Sequence, residues 1–95
     1  MLFALVADDT DDPQKRLDAR SDHLQYLDDL GERLVLAGPF FNDEGAMTGS
    51  FVVIEADDRE QAEAFFAQDP YMMRGVFARY AIRPWKIAVN KSGGR

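Results

Sequence analysis

The sequence predicts an α+β domain with the element order βαββαβ, and three observations predict it. Short runs rich in apolar and β-branched residues alternate with two stretches whose apolar residues recur at helical spacing. The 95 residues suffice for one small hydrophobic core. The separating segments are short and marked by glycine, proline or paired aspartates, with neither an internal repeat nor a linker. This order closes most simply into a four-stranded antiparallel sheet with both helices on one face.

Leu2 to Ala7 is an apolar run suited to a buried strand, ended by Asp8-Asp9. After the loop from Thr10 to Pro13, Asp12-Pro13 resembles an N-cap followed by proline at the first helical position. The first helix is expected from there to about Leu30, where Gly31 supplies the stop. A second strand, Arg33 to Ala37, is broken by Gly38-Pro39, so it either ends there or lies at an edge. Asn42 to Gly45 is a turn cluster, and Gly49 to Ala56 is the third strand, closed by Asp57-Asp58. Arg59 to Gln68 is helical, with Ala62, Phe65 and Phe66 spaced to face a core. It stops before Asp69-Pro70-Tyr71, because residues preceding proline avoid the helical region. Tyr71 to Arg74 forms a helical turn ahead of Gly75, Val76 to Pro84 is the last strand, and Trp85 to Val89 continues extended. The expected domain spans 1–89, with 90–95 as a frayed tail containing Ser92-Gly93-Gly94.

The first helix carries the most information. At about 100° per residue, Leu24, Leu27 and Leu30 form its apolar stripe, and His23 projects between Leu27 and Leu30. Arg16 and Arg20 fall on the meridian of Leu27. The inward face is therefore polar in its first half and leucine-rich in its second, as expected of a helix whose front end lines a cavity. His23 is the only histidine, and so the one side chain that titrates near neutrality without a large shift.

The strands add a second expectation. Val52 and Ile54 occupy one face of the third strand, yet Phe51 and Val53 occupy the other; Leu2, Ala4 and Val6 likewise oppose Phe3, Leu5 and Ala7. With helices for one face only, the other calls for a partner, and a homodimer packed sheet to sheet is expected. A net charge of −6 argues against nucleic acid and against an anionic membrane surface. The apolar runs are too short to span a bilayer, and Met1-Leu2-Phe3 enters a strand without a charged leader. The absence of cysteine excludes disulfides, iron–sulfur clusters and thiolate zinc sites. A cytoplasmic location is expected.

Arg20-x-x-His23-Leu24, Ala37-Gly38-Pro39, Thr48-Gly49-Ser50, Asp69-Pro70-Tyr71 and Pro84-Trp85 occur in an order and spacing that resemble the YciI-like family, the YCII-related domain. The resemblance runs from Met1 to about Val89 and implies a ferredoxin-like fold of the dimeric α+β barrel class. It implies an active site built on a histidine–aspartate pair, here His23 and Asp69, beside a small-molecule pocket. In a few relatives it implies lyase activity on chlorinated hydroxyquinols. The loop from Phe40 to Met47 looks shorter than in some relatives.

A carboxylate bonded to one imidazole nitrogen fixes the tautomer and raises the basicity of the other, as general acid–base work on an enolisable or phenolic substrate requires. Otherwise His23 is a partly buried histidine on a backbone carbonyl, and Asp69 a turn residue before proline. Tyr71 is either a hydroxyl donor in the pocket or a half-buried aromatic. Arg20 is an anchor for an anionic substrate, or else a surface partner of a nearby carboxylate, Asp69 included. Ser50 offers a weak polar contact, with no base left to activate it. Gly38 and Pro39 make a bend that leaves space. Asp8, Asp9, Asp11 and Asp12 lack the glycine and terminal glutamate of a calcium loop and read as a solvated loop. No metal and no cofactor are expected. The leading expectation is a cofactor-independent enzyme moving a proton on a small cyclic or enolisable compound, by elimination, isomerisation or dehydrochlorination. The alternatives are a non-catalytic small-molecule binder or accessory dimeric module, and a quinone-forming monooxygenase.

Overall fold

The first strand does not stop at the paired aspartates. In the structure, a computed structural model that describes residues 1–93, β1 is Leu2–Asp9. Asp8 pairs with Gly49 on one side and Arg79 on the other, and its carboxylate accepts from Arg79 Nε at 2.9 Å, so the ladder runs on with its charge matched. The remaining elements are α1 Pro13–Asp29, a 3-10 turn at Gly31–Arg33, β2 Leu34–Phe41, β3 Met47–Glu55, α2 Arg59–Ala67, α3 Pro70–Met73 and β4 Phe77–Trp85. The strands form one antiparallel sheet in the order β2-β3-β1-β4, the ferredoxin-like arrangement.

Local chemistry sets most boundaries. Asp12 caps α1 by accepting from the Gln14 N–H, with Pro13 just inside, and Gly31 at φ 59° takes the chain out beyond Leu30. Asp58 caps α2 through the Gln61 N–H. Asn42 accepts from the Glu44 and Ala46 N–H groups, closing the β2–β3 turn. Gly49 is required for a different reason: a Cβ there would stand 2.2 Å from the Ala7 carbonyl oxygen, so β1 and β3 approach only over glycine.

Between the two alternatives at Gly38-Pro39 the structure selects one, and it corrects one further expectation. β2 is not broken at Gly38-Pro39 but continues to Phe41, with Pro39 opposite Ser50. The alternative that holds is the edge: β2 borders the sheet, where a missing N–H is tolerated. Of the segment expected to stay extended after the last strand, only Trp85 belongs to β4. The tail expected over 90–95 ends in Gly94 and Arg95, which lie outside the described residues.

Phe3, Leu5 and Ala7 of β1 and Val52 and Ile54 of β3 meet Leu27, Ala62 and Phe66 from the helices in one core. Both long helices therefore cover the same sheet face. A satellite core of Ala19, Tyr71 and Val76 ties α3 to the front half of α1. On the opposite face Ala4 and Val53 are nevertheless buried. A hollow there is lined by Leu36 of β2 together with Trp85, Ile87 and Val89. β4 and β2 are the two edges, so the segment leaving β4 crosses this face to reach β2. Val6, Leu36, Phe40 and Trp85 stay exposed around it. No helix among the described residues is long and apolar enough to cross a membrane.

Candidate functional site

The front half of α1 forms one wall of a cavity of about 230 Å³. The buried residues of α1 are Arg16, Ala19, His23 and Leu27, at the three- and four-residue steps that keep one helix face. Leu24, placed by the helical wheel in the buried stripe, is 45 % exposed and sits at the cavity instead. It lies one residue, about 100°, round from His23. Leu27, Ala37, Met47 and Val52 supply the apolar lining, and Gly38 and Pro39 border it from β2.

His23 and Asp69 meet with Nδ1 and Oδ1 2.8 Å apart, both side chains buried. A carboxylate accepts, so the hydrogen belongs on Nδ1 and the lone pair on Nε2. Asp69 Oδ1 also accepts from the Tyr71 N–H at 2.9 Å, capping α3. The turn-forming and the histidine-binding readings of Asp69 are thus both realised, and on the same oxygen. Oδ2 is the one buried side-chain polar atom without a partner among the described residues. Nε2 has no partner among the described residues either; it is not sealed off, and opens on the cavity.

Tyr71 locks the imidazole in place. Its ring stacks on His23 with centroids 3.7 Å apart and planes 10° from parallel, and the Arg16 guanidinium carbon lies 4.7 Å from its centroid. Arg16 and His23 are two helical turns apart on one face of α1, and the tyrosine ring fills the slot between them. Burial pushes the Tyr71 hydroxyl up, against the opposing pull of the Arg16 and Arg20 charges. Tyr26, behind the pair, donates to the Phe65 carbonyl at 2.8 Å; burial first, and then the charge of Asp69, raise it too.

Arg16 is the residue that reading the sequence missed as part of the site. Nε and Nη2 grip Asp9 at 2.7 and 2.8 Å, and Nη2 also donates to Ser50 Oγ at 2.8 Å. Burial disfavours its charge, but hydrogen bonding and charge from Asp9 outweigh that and raise it. Asp9 was expected in a solvated acidic loop; it is instead a largely buried counter-ion, because β1 carries it beneath α1. The signal available was the shared meridian of Arg16, Arg20 and Leu27. Ser50 is placed by Arg16, and no histidine reaches it. Arg20 is exposed at the cavity mouth and makes no ion pair among the described residues, with Asp69 or any other carboxylate. No three of His, Cys, Asp and Glu cluster as a metal site needs among the described residues.

The pattern of the YCII-related domain matches residues 1–86. Protein YciI of Escherichia coli is 41 % identical over 96 residues, covering 90 % of this chain and 97 % of that protein. An uncharacterized protein of Haemophilus influenzae is 35 % identical with the same coverage. Among solved structures, 5-chloro-2-hydroxyhydroquinone dehydrochlorinase (TftG) from Burkholderia phenoliruptrix, in complex with 2,5-dihydroxybenzoquinone, superposes with a TM-score of 0.82. It is 33 % identical, over 90 % of this chain and 94 % of that one. SnoaB, a cofactor-independent oxygenase from Streptomyces nogalater, has a TM-score of 0.57 over 96 % of this chain and 95 % of its own; at 7 % identity this likeness shows the fold alone.

Proposed function

This chain belongs to the YCII-related domain family, and from that premise we propose that it is a cofactor-independent enzyme that transfers a proton on a small cyclic or enolisable compound. The observation that carries the reading is the 2.8 Å bond between His23 and Asp69 beside an open cavity. Asp69 holds the imidazole with Nε2 towards the cavity, where it takes a proton from carbon or oxygen and later returns it. Stacking on Tyr71 fixes the ring plane, so little reorientation is left to the reaction. Arg20 attracts an anionic substrate to the mouth, while Gly38 and Pro39 leave the room in which the ring lies. The dehydrochlorinase TftG, similar in both sequence and structure, directs the choice towards hydroxylated rings, with elimination or isomerisation as the reaction class.

The test is proton exchange into deuterated solvent, followed by NMR across a panel of phenols, quinols and enolisable ketones, with chloride release measured for chlorinated members. His23→Gln is expected to lower the rate about 10²–10⁴-fold. Asp69→Asn is expected to lower it too, with the fold retained. Exchange at the wild-type rate in both variants sinks the dyad. Ligand binding without turnover of any panel member favours the accessory-module reading.

The same chain is proposed to work as a homodimer joined through the outer sheet face, where Val6, Leu36, Phe40 and Trp85 remain exposed around Phe51. Sedimentation is expected to give a dimer at micromolar concentration and a monomer for Phe51→Asp. A stable wild-type monomer overturns this assembly.

A further inference from the structure

The cavity has an end that proton transfer at His23 leaves unused. Arg16 commits Nε and Nη2 to Asp9 and Ser50, and neither of these takes Nη1. The Tyr71 hydroxyl lies against that same guanidinium, which donates to it and leaves the hydroxyl hydrogen uncommitted among the described residues. Both residues are nine-tenths or more buried, and both line the cavity. Arg16 and Tyr71 border the cavity side by side, and neither is left as a sealed-off polar atom without a partner among the described residues. Two donors from different elements therefore converge on the wall that also holds His23. Both are fixed, Arg16 by its fork on Asp9 and Tyr71 by its stack.

We propose that this end is an oxyanion site, in which Arg16 Nη1 and the Tyr71 hydroxyl donate to one ionised oxygen of a single-ring substrate. The chemistry assigned to that oxygen rests on the proton-transfer reading; the binding does not. When His23 Nε2 takes a proton, a C–H or O–H bond of the substrate breaks and an N–H bond forms. The electron pair left behind passes through the ring to the held oxygen, and return of the proton from Nε2 to another ring atom restores the enzyme. Donors aimed at the atom where charge develops stabilise that step without reorganising. Asp9 already balances the charge of Arg16, so Nη1 contributes direction, whereas exposed Arg20 supplies the net positive charge at the mouth. Volume narrows the class further. An apolar cavity of about 150 Å³ accepts benzene, so one of about 230 Å³ takes a single substituted ring. The ligand class is a monocyclic phenolate or enolate.

The test measures affinity for 4-nitrophenolate, and for nitrobenzene as its neutral analogue, by calorimetry above the pH at which the phenol ionises. Wild-type protein is expected to prefer the phenolate at least about ten-fold, since a hydrogen bond to a charged group is worth that much or more. Tyr71→Phe keeps the stack and removes only the hydroxyl; it is expected to weaken phenolate binding about 10–100-fold and leave nitrobenzene unchanged. Arg16→Lys is expected to do the same, while His23→Gln keeps the phenolate affinity. If Arg16→Lys fails to fold, Tyr71→Phe carries the test. No preference for the phenolate, or a preference that survives in Tyr71→Phe, overturns the proposal. A preference lost only in His23→Gln overturns it as well, by placing anion recognition at the imidazole. Should proton exchange fail while the Tyr71-dependent preference holds, the oxyanion site stands and the dyad falls.

Discussion

The floor and the mouth of the cavity each hold an arginine from α1, one helical turn apart, and the two have opposite surroundings. At the floor, Arg16 is buried against Tyr71, paired with Asp9 and bonded to Ser50. At the mouth, Arg20 is exposed, beside Leu24, and makes no ion pair among the described residues. Residue type and helical position are nearly the same. What differs is the neighbours that other elements deliver: β1 brings Asp9, β3 brings Ser50, and α3 brings Tyr71 to the lower turn, whereas the upper turn clears them. A cavity of this kind is anchored at one end by a buried, charge-matched network and left adjustable at the other.

The largest expected effect breaks the floor. Arg16→Met leaves the Asp9 carboxylate in a site where only about a tenth of it is exposed. Removing one partner of a buried pair costs about 3–5 kcal/mol. Replacing both with apolar residues, Arg16→Met with Asp9→Leu, is expected to recover most of that, read as urea midpoints at constant m. A single variant as stable as wild type would show that the floor is not a coupled network. The smallest effect belongs to the mouth. Arg20→Ala is expected to shift stability by less than about 1 kcal/mol, because an exposed side chain is screened and has no partner to abandon. Its binding of small anions should weaken while neutral analogues are unaffected. A destabilisation as large as that of Arg16→Met would erase the contrast between the two ends.

Much of this was legible along the chain because the signals are local. Asp12-Pro13, Gly31, Asn42 to Gly45 and Asp69-Pro70 each act on their own backbone, so the helix starts, the stop and the turn fall where side-chain chemistry puts them. Alternation in Leu2 to Ala7 and the spacing of Ala62 and Phe66 likewise select the faces that form the core. Errors arose where partners are distant. Asp8-Asp9 looks like a strand end until Arg79 and Arg16 arrive to neutralise it. Gly38-Pro39 leaves a strand end and a sheet edge equally open until the strand order chooses the edge. Leu24 looks buried, since a wheel reports direction but not what lies in that direction.

The site divides along the same line. The sequence by itself determined the order of elements, the amphipathic face of α1 and the presence of a single imidazole on it, because period, caps and composition are properties of neighbouring residues. Tertiary structure alone decided that Asp69 bonds Nδ1, that Tyr71 stacks on the same ring, and that Asp9 rather than solvent receives Arg16. Those contacts join residues many positions apart. Their energy depends on desolvation and on distances of a few ångströms, which exist only once the sheet has brought β1, β3 and α3 against the front of α1.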